Sequence, residues 1–560
     1  MSMTTPTAVP APMTPAWEQP EDAKLFWRQD RMHFPYPITR MEDDLAQYGL
    51  AAGMNLAHEL YDIPNRLQAR RFWTYNYGSM APLPLTPEEM QAMAARSEQK
   101  MRTIIGRLDE EWRSVWLPAI QQHLEHFRDF DLSGASDAAL MEHFENAIER
   151  IRALWQLHFE IVVPAYLAMN LFDELYRELF SDASAFRPYQ LLQGLPNKTV
   201  ESGNALWRLS RMAAGSTVIR DIFVLYPPRD VVPALESIPE GQDFLIQFHA
   251  FLQEFGKRGE SWGLSYPTWI EDPTPVVKTI RDYLNNPAHN PIRDQRELAE
   301  EREQLIADSR SVLASYPEAV RGQFEGLLAA AQAGVVLSED HGYWIDFQGM
   351  YEVRRLFMEI GRRFAAAKVL TAAENIFHLS FDEIRDTARY LPRVDRRALV
   401  AVRRAEMEHY RSITPPPAVG TPPPDMQEGN DNPGARTASK FFGGPPPVSD
   451  DPDVLFGAAG SAGVVRGRAR VIHDIADAAR LQPGEIMVTA TTAPPWTPLF
   501  GTAVAVVTDT GGVLSHCAVV AREYRIPAVV GTGFATTAIT DGQIIEVDGE
   551  RGVVRIIRGA

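Results

Sequence analysis

The sequence predicts a multidomain chain in which a large, mostly α-helical region precedes a small α/β domain. Three observations carry this. Helical periodicity and capping signals run over residues 22–413, a proline-rich stretch fills residues 414–450, and residues 451–560 change to short β-rich runs punctuated by glycine. The 560 residues are 45% hydrophobic and 23% charged, which is ordinary globular composition and enough chain for more than one domain.

Charge and composition exclude several function classes. With 55 Lys+Arg against 73 Asp+Glu, the formal charge of -18 offers no general attraction to nucleic acid or to an anionic membrane. No uncharged apolar run reaches the ~20 residues of a membrane helix. Residues 1–21, rich in Pro and Thr and without a basic segment, read as a disordered tail rather than a signal peptide. The single cysteine, Cys517, rules out an internal disulfide and fits a reducing compartment, so the expected localisation is cytoplasmic.

Within the helical region the clearest start signal is Thr86-Pro87-Glu88-Glu89, an N-cap hydroxyl followed by Pro at the first helical position and Glu at the third. Met90, Met93, Met101, Ile104, Leu108 and Trp112 then keep to one face and are expected in the core. A second stripe, Leu140, Phe144, Ile148, Ile151 and Trp155, runs on through Phe159 to Pro164, where a kink or break is expected. Helical patterns follow over residues 297–314 and 349–367, and Ser380-Phe381-Asp382-Glu383 repeats the capping-box spacing.

Residues 414–447 hold the proline runs 415–417, 422–424 and 445–447 among Gly, Asn and Asp, the composition of a mobile linker. As coil it would have an r.m.s. reach of ~30 Å. Beyond it, residues 463–472, 485–490, 503–507, 527–530, 543–547 and 553–557 read as strands.

The stretch that carries chemistry is Thr508-Asp509-Thr510-Gly511-Gly512-Val513-Leu514-Ser515-His516-Cys517, a strand running into a double glycine and then a helix start. Gly511 and Gly512 permit positive φ and close backbone approach. With Thr510 and the helix entrance at Ser515, they would form a concavity of N–H groups able to cradle a phosphoryl group. His516 at that entrance is a competent nucleophile as neutral imidazole. Taken alone, a histidine at a helix start is more often a cap or surface residue. The following Ala521-Arg522-Glu523-Tyr524-Arg525-Ile526-Pro527-Ala528-Val529-Val530-Gly531 reverses that weighting.

The run from Thr510 to Gly531 closely resembles the phosphohistidine signature of the mobile, swivelling domain of the phosphoenolpyruvate-utilising enzymes. The resemblance extends over about residues 455–557, including Gly463-Val464-Val465-Arg466-Gly467-Arg468-Ala469-Arg470-Val471 and Pro495-Trp496-Thr497-Pro498-Leu499-Phe500. It implies that residues 451–560 form a swivel domain whose catalytic His516 takes a phosphoryl group at one site and delivers it at another. Members acting on pyruvate usually carry Thr two residues before the histidine, where this chain has Leu514, which argues against pyruvate chemistry.

The helical region resembles, more weakly, the acceptor-binding part of rifampicin phosphotransferase and the histidine-bearing subunit of phenylphosphate synthase. The matching pieces are residues 26–35 (Phe-Trp-Arg-Gln-Asp-Arg-Met-His-Phe-Pro), Gly256-Lys257-Arg258-Gly259 with Trp269-Ile270-Glu271-Asp272-Pro273, and Tyr343-Trp344-Ile345-Asp346 before Arg354 and Arg355. This implies an acceptor-binding role for residues 22–413, with Lys257, Arg258, Arg354 and Arg355 supplying charge and His341 and Trp344 lining the substrate. Ordinary salt bridges are an equal reading for each cation, and a structural role is the commoner one for His341 and His33. Cys517 is read as a packed apolar residue, and the scattered histidines show no metal-ligand spacing.

The expectation is therefore an enzyme of the dikinase type, the phosphohistidine and acceptor-binding subunit of a split ATP-dependent phosphotransferase acting on a phenolic hydroxyl. ATP and Mg2+ would be bound mainly by a separate ATP-binding subunit, with no cofactor held tightly here and no nucleic-acid or membrane partner. The alternatives are a kinase component for a bulkier, antibiotic-like hydroxyl compound and a non-catalytic phosphocarrier or regulatory module.

Overall fold

The computed structural model describes residues 13–181, 184, 186–259, 263–287, 289–422, 433–444, 446–447, 449–493 and 496–558. Residues 1–12 of the expected tail and 423–432 of the expected linker lie outside them. The tail expectation needs correction beyond residue 12, because Trp17 packs edge-on against Phe72 at 5.5 Å and Pro20–Lys24 forms a 3-10 turn.

A large helical region and a smaller α/β region are both present. The helical part is organised around one helix, Asp137–Leu179, packed along Glu318–His341. The Ser136 hydroxyl caps it by accepting from the Ala139 N–H at 3.2 Å. The helix runs on through Pro164, where a kink or break was expected. Pro164 cannot donate to the Glu160 carbonyl one turn earlier, and the Tyr61 hydroxyl donates to that oxygen instead at 2.7 Å. Beside the proline, a Cβ on Gly334 would meet the Ala165 carbonyl oxygen at 2.7 Å, so glycine is what lets the two helices approach this closely.

Both capping boxes form. Thr86 accepts from the Glu89 N–H at 3.3 Å while the Thr86 N–H donates to Glu89 at 2.8 Å, opening Pro87–Ile105, and Ser380 does the same for Phe381–Tyr390. Along the first of these stripes Met101, Leu108 and Trp112 are buried, whereas Met90 and Met93 are only half-buried. Along the second, Leu140, Phe144 and Ile151 are buried in the main core.

A four-stranded antiparallel sheet draws three strands from the expected helical region and one from the expected linker. Its strands are β1 (Phe26–Gln29), β2 (Asn65–Phe72), β3 (Tyr75–Pro82) and β4 (Ala418–Gly420), in the order β2-β3-β1-β4. The β2–β3 hairpin turns through Trp73 and Thr74, both at positive φ (49° and 67°) and neither a residue that signals such a turn.

The C-terminal domain is one eight-stranded sheet of β5 (Val454–Phe456), β6 (Ala458–Ser461), β7 (Val464–Ile472), β8 (Glu485–Thr489), β9 (Ala505–Thr508), β10 (Ala528–Val530), β11 (Ile544–Asp548) and β12 (Val553–Ile556). The order is β5-β12-β11-β7-β8-β9-β10-β6, parallel from β7 to β10 and antiparallel at both edges. Six strands match the expected runs to within two residues. β5 and the small-residue strand β6 were not anticipated.

The linker expectation is also corrected. Residues 418–420 are β4, paired to β1 (Trp27 opposite Val419), and Pro433–Phe442 is a helix packed on the long helix. Arg436 pairs with Glu174 at 2.7 Å and Lys440 with Asp173 at 2.5 Å. The two described pieces 418–420 and 433–442 are therefore held on the helical region.

Candidate functional site

His516 opens the helix His516–Glu523, whose N-cap Ser515 sits in extended conformation with its hydroxyl facing the Ala518 N–H. The chain reaches it through Gly511 at φ +101°. That conformation is strained for any residue with a Cβ. A Cβ on Gly512 would lie 2.1 Å from the Lys440 carbonyl oxygen. The double glycine thus admits the C-terminal end of the Pro433–Phe442 helix.

This contact engages the expected phosphate cradle. The N–H groups of Gly511, Gly512 and Leu514 donate to the carbonyls of Phe442 (3.2 Å), Phe441 (2.8 Å) and Lys440 (2.9 Å), while the Thr510 hydroxyl donates to Ala490 and the Ser515 N–H to Gly512. The reading of Gly511 and Gly512 as open anion donors is corrected for this arrangement, because orphan carbonyls at a helix end compete for the same N–H groups.

The imidazole of His516 lies between the two domains. Its Nδ1 is 3.4 Å from Oε1 of Glu339 on the helical region, and its Nε2 is 3.5 Å from the Thr497 hydroxyl of its own domain. Glu339 is buried in the last turn of Glu318–His341, where its other oxygen accepts from the Thr199 hydroxyl at 2.7 Å. Burial works to raise the Glu339 carboxyl, but His516, the Thr199 hydrogen bond and His341 outweigh it and hold the group below the ordinary carboxylate value. Pro495, next to this segment, lies outside the described residues.

Around His516 the domains meet through an apolar and polar seam. Leu514 is buried in a cluster with Met169, Phe172, Leu191 and Leu192 of the helical region, so the leucine that replaces the usual threonine is an interdomain anchor. Arg522 lies over the Tyr189 ring at 4.7 Å and donates to the Val513 carbonyl. Glu523 accepts from the Gly194 N–H, Arg31 pairs with Asp509 at 2.9 Å, and the Thr502 hydroxyl donates to Asp282. The cleft at this seam lined by Gly203, His289 and Tyr524 has a volume of about 20 Å³. Cys517 is buried and burial pushes its thiol up to about 12, so it is packed and protonated.

The expected acceptor residues have other partners. Arg354 forks onto Glu271 and also donates to the Leu264 carbonyl, and Lys257 and Arg355 share Glu352 at 3.4 and 2.6 Å. These three cations are held by carboxylates. Arg258 is fully buried over the rings of Trp269 and Phe347, donates to the Phe255 carbonyl, and is lowered to about 10 by burial. Trp344 is half-buried where the two helical cores meet. His33 faces Asp30 at 3.0 Å.

His341 is buried two residues after Glu339, its Nδ1 2.7 Å from the Leu337 carbonyl and its ring edge-on to His158 at 4.6 Å. With Asp346 these two histidines place three metal-donor atoms within 4.8 Å of one another. No sequence spacing announced this, because the donors come from two helices and a π-helical turn, Gly342–Gly349. Glu339, Thr199, Thr497 and His158 were likewise missed. Only Thr497 lay in a stretch that the motif reading had singled out.

Two family models match. Residues 157–339 match the rifampicin phosphotransferase fourth domain, ending at Glu339, and residues 481–552 match the mobile domain of PEP-utilising enzymes. Chondramide synthase cmdD of Chondromyces crocatus is 38% identical over 97% of this chain and 14% of its own length. A rifampicin phosphotransferase of Streptomyces sviceus is 32% identical over 64% of this chain and 40% of its own. The uncharacterized phosphotransferase YvkC of Bacillus subtilis is 29% identical over 78% and 51%. The chain spans at most about half the length of these relatives.

Proposed function

We propose, for a chain that shares its mobile domain with the PEP-utilising enzymes and its helical core with rifampicin phosphotransferase, that it carries the phosphohistidine and acceptor half of an ATP-dependent phosphotransferase. The observation that supports this is the seating of His516 against Glu339 of the helical region. A carboxylate facing Nδ1 favours the tautomer with its proton on Nδ1 and leaves the lone pair on Nε2. Nε2 is then the nucleophile that takes the β-phosphoryl group of ATP, with AMP and phosphate as the leaving products.

Delivery reverses the same bond. The acceptor hydroxyl oxygen attacks phosphorus, the P–Nε2 bond breaks, and its electron pair returns to Nε2. The proton stays on Nδ1, so the imidazole leaves neutral, and the hydroxyl proton passes to solvent or a nearby base. Glu339 stabilises the Nδ1-protonated phosphoimidazole through the water-excluded contact. Charging requires His516 to leave this seat and the Pro433–Phe442 helix to release the Gly511 and Gly512 amides.

ATP with Mg2+ is assigned to a separate nucleotide-binding subunit, the acceptor to the phenolic hydroxyl class, and the location to the cytoplasm. Label from β-labelled ATP should enter the chain only with that subunit present and should vanish in His516→Ala. Label on His516 that no hydroxyl compound discharges would instead favour a phosphocarrier.

A further inference from the structure

We propose that His158, His341 and Asp346 form a binding site for one divalent first-row transition-metal ion inside the helical region. Two imidazoles and one carboxylate are a donor set that suits Zn2+ and Fe2+, and three protein donors leave at least one coordination position open for an exogenous oxygen.

His158 Nδ1 is 3.1 Å from Asp346 Oδ1, and His341 Nε2 is 4.0 Å from Asp346 Oδ2. Donors bound side by side at ~2.1 Å from one ion stand roughly 3.0–3.4 Å apart, so an ion would take the place of the His158–Asp346 hydrogen bond, and the three donors, which lie within 4.8 Å of one another, would close in by side-chain rotation. The Asp346 side chain is fully buried, yet its Oδ2 has no hydrogen-bond partner among the described residues. An orphaned buried carboxylate oxygen is costly, and a cation satisfies it.

The surroundings support the same occupant. His341 Nδ1 donates to the Leu337 carbonyl, which turns the Nε2 lone pair toward Asp346 and is the outer-shell bond that metal-bound histidines use. Asp346 lies in the π-helical turn Gly342–Gly349, an irregular geometry frequent at functional sites. None of this depends on the phosphotransfer reading.

The test is titration of the full, metal-stripped chain with Co2+, followed by its visible d–d absorption, and then with Zn2+ as competitor and Mg2+ as control. One Co2+ per chain should bind, Zn2+ should displace it, and Mg2+ should not. Asp346→Asn and His158→Gln should each weaken Co2+ by ~100-fold or more, the upper end of what loss of even an outer-shell partner costs. His143→Gln, a buried histidine stacked on Phe130 elsewhere in the core, should leave binding intact. Zn2+ should also raise the melting temperature of the wild type and not that of Asp346→Asn, which separates lost binding from lost folding. Absence of Co2+ binding by the wild type, or binding unchanged in both ligand variants, overturns the proposal.

Discussion

His516 Nδ1 and Glu339 Oε1 lie 3.4 Å apart across the seam between the α/β domain and the helical region, although 177 residues separate them in sequence. The contact joins the proposed nucleophile of one domain to a buried carboxylate of the other. Glu339→Gln keeps the shape and removes the charge. Hydrogen bonds to charged groups contribute about 1.5–3 kcal/mol, and Glu339 stabilises the protonated phosphoimidazole more than the neutral imidazole that leaves, so delivery from phosphorylated His516 should quicken by roughly tenfold to a hundredfold. Rapid-quench measurement of acid-labile label in a single turnover checks it, and an unchanged rate would remove Glu339 from the mechanism.

Leu514 anchors the mobile domain in an apolar cluster of the helical region. Burying a leucine contributes about 2–5 kcal/mol by large-to-small substitution. Leu514→Ala should therefore shift the chain toward an undocked population, read as a longer distance between spin labels placed in the two domains. A distance distribution equal to wild type contradicts this role.

Glu523 makes docking sensitive to pH. It accepts from the Gly194 N–H, and burial raises its carboxyl to about 7 from an unperturbed value of 4.5, against the opposing pull of that hydrogen bond and of Arg522. A docked value above the free value means that the docked state holds the proton more tightly. The contribution is full below pH 4.5 and lost as pH rises through 7, a swing of roughly 3 kcal/mol. Small-angle scattering across that window should show opening in the wild type and a flattened response in Glu523→Gln.

Gly512 faces the Lys440 carbonyl so closely that a Cβ would stand 2.1 Å away. Gly512→Ala should push the Pro433–Phe442 helix off the His516 loop. The amides of Gly511 and Leu514 should then exchange with solvent faster, as hydrogen-exchange mass spectrometry can measure. Retained protection would show that the backbone accommodates the methyl group.

Tyr61 supplies the hydrogen bond that Pro164 cannot. Tyr61→Phe leaves the Glu160 carbonyl without that donor and should cost about 1–3 kcal/mol, seen as a lower unfolding midpoint in denaturant. A midpoint equal to wild type would mean that water serves the carbonyl equally well.

Local signals in the sequence read well wherever a short segment decides its own conformation. Thr86 and Ser380 open helices because hydroxyl and carboxylate are three residues apart, and β7 to β12 form where branched residues meet glycine turns. The β2–β3 hairpin escaped because Trp73 and Thr74 take positive φ without a glycine or asparagine to mark it. The unbroken helix past Pro164 was not legible for a related reason, since the rescuing hydroxyl comes from a residue far back in the chain. The linker misled because its proline content hid a helix whose partners, Asp173 and Glu174, lie on the long helix.

The sequence by itself determined the division into a helical and an α/β part, the strands around His516, and the histidine at a capped helix start, because all of these follow from periodicity, capping and turn chemistry within a few residues. Only the tertiary structure decided what His516 faces, what occupies the Gly511–Gly512 amides, and that His158, His341 and Asp346 share one buried point. Those relationships depend on how distant helices pack, and packing is set by shape and burial summed over the whole chain rather than by the spacing of any one motif.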